Sequence, residues 1–265
     1  MNLDNLAVNF RDAFYNKRFL GDTSVDLSEL SLRDAYLVQD RVTEKRVQKG
    51  ETVVGYKVGC TSPAIRSQFG LKEPIHAKLF KPHVYMDGAE LFWNDFMNCS
   101  IEPEMVLRIG KDLEGENLSD ETLIGSIEYV SPGIELHHFK FWFSPTTSQE
   151  LICSNGIHAG LIVGDIKVSP LKLSFKNERF KVSRNGTIVT QAHASEIMGG
   201  PLHSLRWLVG HLTRNDRILD AGDFVIPGSP TELIAIDTET ELEVEISQIG
   251  RVTANFSEKI EQIVG

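Results

Sequence analysis

The chain has 265 residues, 41% of them hydrophobic, enough to bury one sizeable core and better suited to one domain with a helical extension than to two equal domains. A formal net charge of −10, with no Lys/Arg cluster tracking a face, lacks the phosphate-neutralising footprint of a nucleic-acid binder. The opening MNLDNLAVNFRDAF sets acids among its apolar residues, unlike a signal peptide, and no run reaches the roughly 18 apolar residues of a membrane span, so a soluble, cytoplasmic protein is expected.

Residues 3–49 read as helices. Leu3, Leu6, Ala7, Phe10, Ala13 and Phe14 recur at helical spacing until Asp22-Thr23-Ser24 breaks the pattern. A second helix is predicted from Ser31, because Ser31-Leu32-Arg33-Asp34 forms a capping box with Asp as the weaker partner, ahead of Tyr36, Val38, Val42 and Val47; Gly50 ends it. Beyond Thr52 short β-branched runs take over at 53–54, 84–85, 104–109, 160–163, 180–182, 187–190, 224–226, 233–236 and 241–249. Between two of them Asn185-Gly186 signals a hairpin, since this pair supplies the positive φ angles of a type I′ turn. One helix interrupts the region, opening at Pro201 after a glycine pair and running through Leu205 and Leu208. The sum is an α+β chain, a helical arm over 1–50 and a mixed, mostly antiparallel β body over 51–265 closed on itself.

The candidate chemistry starts at Glu102-Pro103-Glu104. On a strand flanked by Ile101, Met105, Val106, Leu107 and Ile109, the two-residue period sends both carboxylates to one face, where like charges need a cation, a shared proton or water. An isolated E-x-E is most simply a solvated strand face, but Glu135, following Tyr129, Val130 and a Pro132-Gly133 turn signal, adds a third carboxylate at a strand start or end. Without zinc-type spacing of Cys and His, three glutamates make an all-oxygen site suited to Mg²⁺ or Mn²⁺. His137 would share the face of Glu135, with a helper role near the metal or a surface role favoured over ligation, and His138 would point away.

Lys57, between glycines in GYKVGCT, either binds a carboxylate or exchanges a proton at a close-packed site, or snorkels at the surface. Gly228-Ser229-Pro230 is a tight turn that offers amides to an anion. Cys60, Cys99 and Cys153 are odd in number and widely spaced, as reduced thiols are. No G-x-S-x-G elbow, H-E-x-x-H helix, P-loop or dinucleotide fingerprint is present.

In order along the chain, LSLRDAYLVQ (30–39), VVGYKVGCTSPAIRSQFGLKEP (53–74), IEPEMVLRIG (101–110), GIEL (133–136), ASEIMGGPLHSLRWL (194–208) and AGDFVIPGS (221–229) together resemble the hydratase/decarboxylase branch of the fumarylacetoacetate hydrolase superfamily. The resemblance implies a helical N-terminal portion on a rolled β-sandwich, a homo-oligomer, and a divalent metal, Mg²⁺ or Mn²⁺, on Glu102, Glu104 and Glu135. It further implies that Lys57 lies in the active site, that Gly228 and Ser229 close over a small 2-oxo acid substrate, and that Asn155 in SNGIHAG occupies a common pocket position.

Two departures leave the reaction open. Some hydratases of the branch carry an aspartate in a P-D-F-G run where this chain has Pro74-Ile75-His76-Ala77, so either His76 takes over the acid/base work or the activity is not hydration. After the glutamate matched by Glu135, members of the branch commonly continue with an acid and an arginine, where this chain has His137-His138-Phe139-Lys140-Phe141-Trp142-Phe143. The expectation is therefore a metal-dependent hydratase of 2-keto-4-pentenoate type, with a 4-oxalocrotonate decarboxylase, an acylpyruvate-type C–C hydrolase and a non-enzymatic binding protein as alternatives.

Overall fold

The computed structural model describes residues 2–260. Helix α1 (Leu3–Asn16) starts at Asn2, whose side-chain oxygen accepts the amides of Asp4 and Asn5. Helix α2 (Leu32–Gln48) begins where its capping box predicts, with Ser31 Oγ accepting the Asp34 amide at 3.0 Å. The inner faces of both helices, including Phe10, Val38 and Val42, share one core with Leu71, Ile75, Phe143, Leu151 and Ile152 of the β body.

Short helices α3 (Pro63–Gln68), α4 (Asp120–Ser126) and α5 (Ser148–Cys153) and the longer α6 (Pro201–Thr213), with Pro at its start as predicted, surround thirteen strands. These are β1 (Val53–Gly59), β2 (Ile75–Phe80), β3 (Val84–Met86), β4 (Ala89–Phe92), β5 (Cys99–Ile109), β6 (Ile127–His138), β7 (His158–Val163), β8 (Arg179–Arg184), β9 (Thr187–His193), β10 (Phe224–Ile226), β11 (Ile234–Ala235), β12 (Thr240–Ile246) and β13 (Gly250–Ser257). One eight-stranded sheet runs β2-β1-β10-β5-β6-β7-β3, with β11 paired to β5, and a five-stranded sheet runs β4-β13-β12-β8-β9. The pairs β1–β10, β3–β7 and β4–β13 are parallel and the rest antiparallel. The large sheet curls until β2 packs against β7, which brings β1 over the faces of β5 and β6.

The β8–β9 hairpin turns on Asn185 and Gly186, both at positive φ as expected. Three strand expectations change. Residues 241–249 do not form one strand; β12 ends at Ile246 and β13 follows after a turn with Gln248 at φ 60°. Strand β2, buried at all six positions, lacks the alternation that would reveal it. Pro132-Gly133 is not a turn but lies inside β6. A residue in an antiparallel strand aims its N–H and C=O to the same side, and Pro132 C=O accepts the Gly164 amide just past the end of β7. The N–H that proline lacks would therefore point where the neighbouring strand has already stopped.

Candidate metal centre

Strand register assembles the centre. On β5 and β6, Glu102 lies opposite Glu135 and Glu104 opposite Gly133, so the three carboxylates share one face. A Cβ at Gly133 would sit 2.4 Å from Val106 Cγ2 and 3.1 Å from the Ile162 carbonyl oxygen, so a side chain there would force the strands apart. From β1, curled over this face, Lys57 donates to Glu135 Oε1 at 2.9 Å and approaches the Gly156 carbonyl at 3.4 Å. Gly228, at φ 117° and pressed against Thr61, donates its amide to Glu104 Oε2 at 3.1 Å.

Two histidines complete the cluster. His137, two residues after Glu135, places Nε2 3.1 Å from Glu102 Oε2 and 3.6 Å from Glu135 Oε2. His158 on β7 meets Glu135 Oε1 at 2.8 Å through Nδ1. Burial lowers the His158 pKa to about 4 against the opposing pull of Glu135, so its neutral ring carries the proton on Nδ1 and donates it to the carboxylate.

The electrostatics are one-sided. Burial alone would depress the Lys57 ammonium, yet the charges of Glu135, Glu102 and Glu104 hold its pKa above the usual lysine value. Burial would likewise raise Glu135, but Lys57 and the histidines keep its carboxyl below the usual range. Glu104 goes the other way, pushed well up by burial and by the like charges of Glu135 and Glu102. One ammonium faces three carboxylates, and among the described residues Glu104 Oε1 and Glu135 Oε2 are buried without a hydrogen-bond partner. Buried acceptors of this kind need a donor or a cation, and a set of carboxylate oxygens fits a hard divalent ion.

The structure thus brings together Lys57, Glu102, Glu104, Glu135 and the amide of Gly228. Three other candidates are placed differently. His76 pairs with Val58 across β2 and β1, one residue off Lys57, and alternation turns it to the opposite face. There it stacks on Tyr36 at 4.7 Å and meets His211 edge-on at 4.9 Å, and burial together with the charges of Lys78, His211 and Arg217 pushes its pKa well down. It has no contact with the carboxylates and is corrected from acid/base at the centre to a packed, neutral ring. Asn155 is also corrected, because its side chain is spent on the backbone of Lys78, accepting the amide and donating to the carbonyl, both at 2.9 Å. Its contribution is indirect, since it braces the turn that offers Gly156 O to Lys57. Ser229 lies at the edge, with Oγ accepting the Thr231 amide at 3.2 Å.

Sequence reasoning set His137 aside and passed over His158, whose role depends on a cross-strand neighbour and leaves no local pattern. His138 points elsewhere as expected, its Nδ1 accepting the Met97 amide at 3.2 Å. Of the aromatic run after it only Phe143 is buried, packed against Phe10 and Phe19; Trp142 is half-buried and stacks on Phe19, and Phe139 is exposed.

A curled mixed sheet with N-terminal helices and a buried carboxylate cluster on its inner face defines the fumarylacetoacetate hydrolase class of fold. No family model matches the chain. It is 26% identical over 231 residues to the TodF product hydratase of Pseudomonas putida, covering 87% of this chain and 86% of that one. It is 25% identical over 228 residues to a 2-keto-4-pentenoate hydratase of Paraburkholderia xenovorans, covering 86% and 85%. In fold it matches 4-oxalocrotonate decarboxylase from Pseudomonas putida G7, complexed with magnesium and adipate, with a TM-score of 0.89 at 24% identity over 96% of this chain and 97% of that one. In sequence the chain is thus similar to these hydratases, and its fold is of the fumarylacetoacetate hydrolase type.

Proposed function

We propose that this protein is a divalent-metal-dependent lyase that hydrates a short unsaturated 2-oxo (2-hydroxydienoate) acid, in the manner of the 2-keto-4-pentenoate hydratases. The observation that carries the reading is the uncompensated carboxylate cluster, in which Glu104 Oε1 and Glu135 Oε2 are buried with no hydrogen bond from the described residues. Glu102, Glu104 and Glu135 would hold the ion, Mg²⁺ or Mn²⁺, which when bound supplies Lewis-acid stabilisation of enolate charge.

The chain's own groups do the rest. Lys57, kept protonated by its carboxylate neighbours, holds a proton at Nζ for a substrate oxygen or carbon beside the cluster. The Gly228 amide fixes the Glu104 carboxyl, and His158 fixes that of Glu135. The burial of Lys57, Glu104 and Glu135 excludes bulk water, which strengthens each of these interactions.

Decarboxylation of a 4-oxalocrotonate-type substrate is the second reading, favoured by one observation. His76 packs on the face of β2 opposite Lys57, so the acid/base group expected from this segment is not at the cluster, and hydration would have to draw on Lys57 or the histidines beside Glu135. Ultraviolet assays with 2-hydroxypenta-2,4-dienoate and 4-oxalocrotonate, each with Mg²⁺, with Mn²⁺ and with chelator, separate the two. Metal-dependent loss of the dienol absorbance is expected; no turnover of either substrate with either metal would sink the lyase reading.

A cytoplasmic location and a homo-oligomeric state belong to the same proposal. Three unpaired cysteines support a reducing compartment. Among the described residues no helix is long and apolar enough to cross a membrane.

A further inference from the structure

We propose that His137 is itself a metal ligand, so that the centre is a mixed carboxylate–imidazole site that prefers Mn²⁺ and similar transition ions to Mg²⁺. The inference rests on the metal reading above and goes beyond its ligand set.

Among the described residues, the one group of three side chains whose ligand atoms all lie within 4.8 Å of one another is Glu102, Glu135 and His137, not the three glutamates. Glu104 stands outside that group; its Oε2 accepts the Gly228 amide and its Oε1 is the oxygen left free. Register explains the grouping. Glu135 and His137 are alternate residues on β6, and Glu102 faces Glu135 across the β5 ladder, so Nε2 falls between two carboxylates.

His137 is only 2% exposed, and its Nδ1 has no protein partner, so no other bond within the chain orients the ring. When Nε2 gives its lone pair to an ion, the proton of the neutral ring resides on Nδ1, where a water would have to receive it. The adjacent His138 shows the contrasting use of the same residue type, its Nδ1 filled by a backbone amide and its ring packed against Phe14 and Phe96.

The chemical consequence is selectivity. Mg²⁺ demands oxygen ligands and retains its water, whereas imidazole nitrogen raises affinity for Mn²⁺, Fe²⁺, Co²⁺ and Zn²⁺. A histidine that merely hydrogen-bonded to Glu102 would confer no such preference, although losing it would still weaken binding of any ion.

The test uses the metal-stripped full chain titrated with Mn²⁺ by calorimetry and then observed by pulsed electron paramagnetic resonance. A directly bound imidazole imposes nitrogen modulation on the Mn²⁺ echo. We expect one Mn²⁺ per chain with that modulation in the native protein. In His137→Gln the modulation should vanish and Mn²⁺ affinity fall about tenfold or more, with Mg²⁺ affinity changing less than about threefold. His158→Gln should retain it. Stoichiometric Mn²⁺ without nitrogen modulation in the native protein, or modulation that persists in His137→Gln, would overturn the ligand assignment and leave the metal centre standing. Absence of stoichiometric Mn²⁺ binding would overturn both. The native spectrum is decisive even if the variant folds poorly.

Discussion

Beneath the N-terminal helices, Arg46 lies between the rings of Phe14 and Phe80, its guanidinium carbon 4.1 and 3.6 Å from their centroids, and Nε donates to Glu51 Oε2 at 2.7 Å. The other oxygen of Glu51 takes the Tyr15 hydroxyl and faces His83 Nε2, and neither Arg46 nor Glu51 has a buried polar atom without a partner. On the inner face of the large sheet, Lys57 pairs with Glu135 and lies in the field of Glu102 and Glu104, and two of the three carboxylates keep an orphaned buried oxygen. Burial is similar in the two regions, yet one is charge-balanced and closed while the other is short of positive charge. A closed pair holds helices to sheet; an open cluster is held by the fold, at some cost to stability, for something that arrives later.

The sharpest way to break this contrast is to remove one carboxylate from each region. Glu51→Ala strands a buried guanidinium and should destabilise the protein by about 3–5 kcal/mol in urea denaturation at pH 7. Glu104→Gln keeps the shape and an acceptor for the Gly228 amide, and fixes as neutral a side chain that burial and its charged neighbours already push toward the protonated form. The metal-free variant should therefore lie within about 1 kcal/mol of the native protein or above it. Its Mn²⁺ and Mg²⁺ affinities should fall at least about tenfold. Equal losses of stability in the two variants would erase the distinction between a structural pair and a binding cluster.

Acid sharpens the same comparison. Burial works to raise the Glu51 carboxyl, but the hydrogen bonds from His83 and Tyr15 and the charge of Arg46 win, taking its pKa from 4.5 to about 2. A depressed carboxylate contributes stability that is present in full above its unfolded value and is lost as pH falls through the folded one. Urea midpoints of the native protein should thus drop between about pH 4.5 and 2, and Glu51→Gln should flatten that part of the curve. An unchanged slope in the variant would assign the acid limb to other groups.

The parts legible in the sequence were those fixed by short-range geometry. The capping box at Ser31, the Asn185-Gly186 turn and the period of two through Glu102 and Glu104 each follow from residues within a few positions. What sequence reasoning missed depends on partners far along the chain. Pro132-Gly133 reads as a turn until the end of β7 appears beside it. Asn155 reads as a pocket residue until the backbone of Lys78, 77 positions away, claims its amide group. His158 gains a role only because curvature and register set it against Glu135.

His76 is the most instructive miss, and it yields the smallest predicted effect. Because β2 is buried on both faces, its sequence carries no alternation to say which residue joins Lys57, and a difference of one position separates the face shared with Lys57 from the packed one. The ring is 3% exposed, stacked on Tyr36 with Nδ1 unpartnered, so His76→Phe conserves the aromatic contact and removes a buried polar atom that nothing satisfies. Stability should stay within about 1 kcal/mol and kcat/KM on the dienol within about threefold. A loss of a hundredfold or more, or a displaced basic limb in the pH–rate profile, would return His76 to the chemistry. It would also mean that the face of β2 carrying Ile75 is not the one that meets substrate.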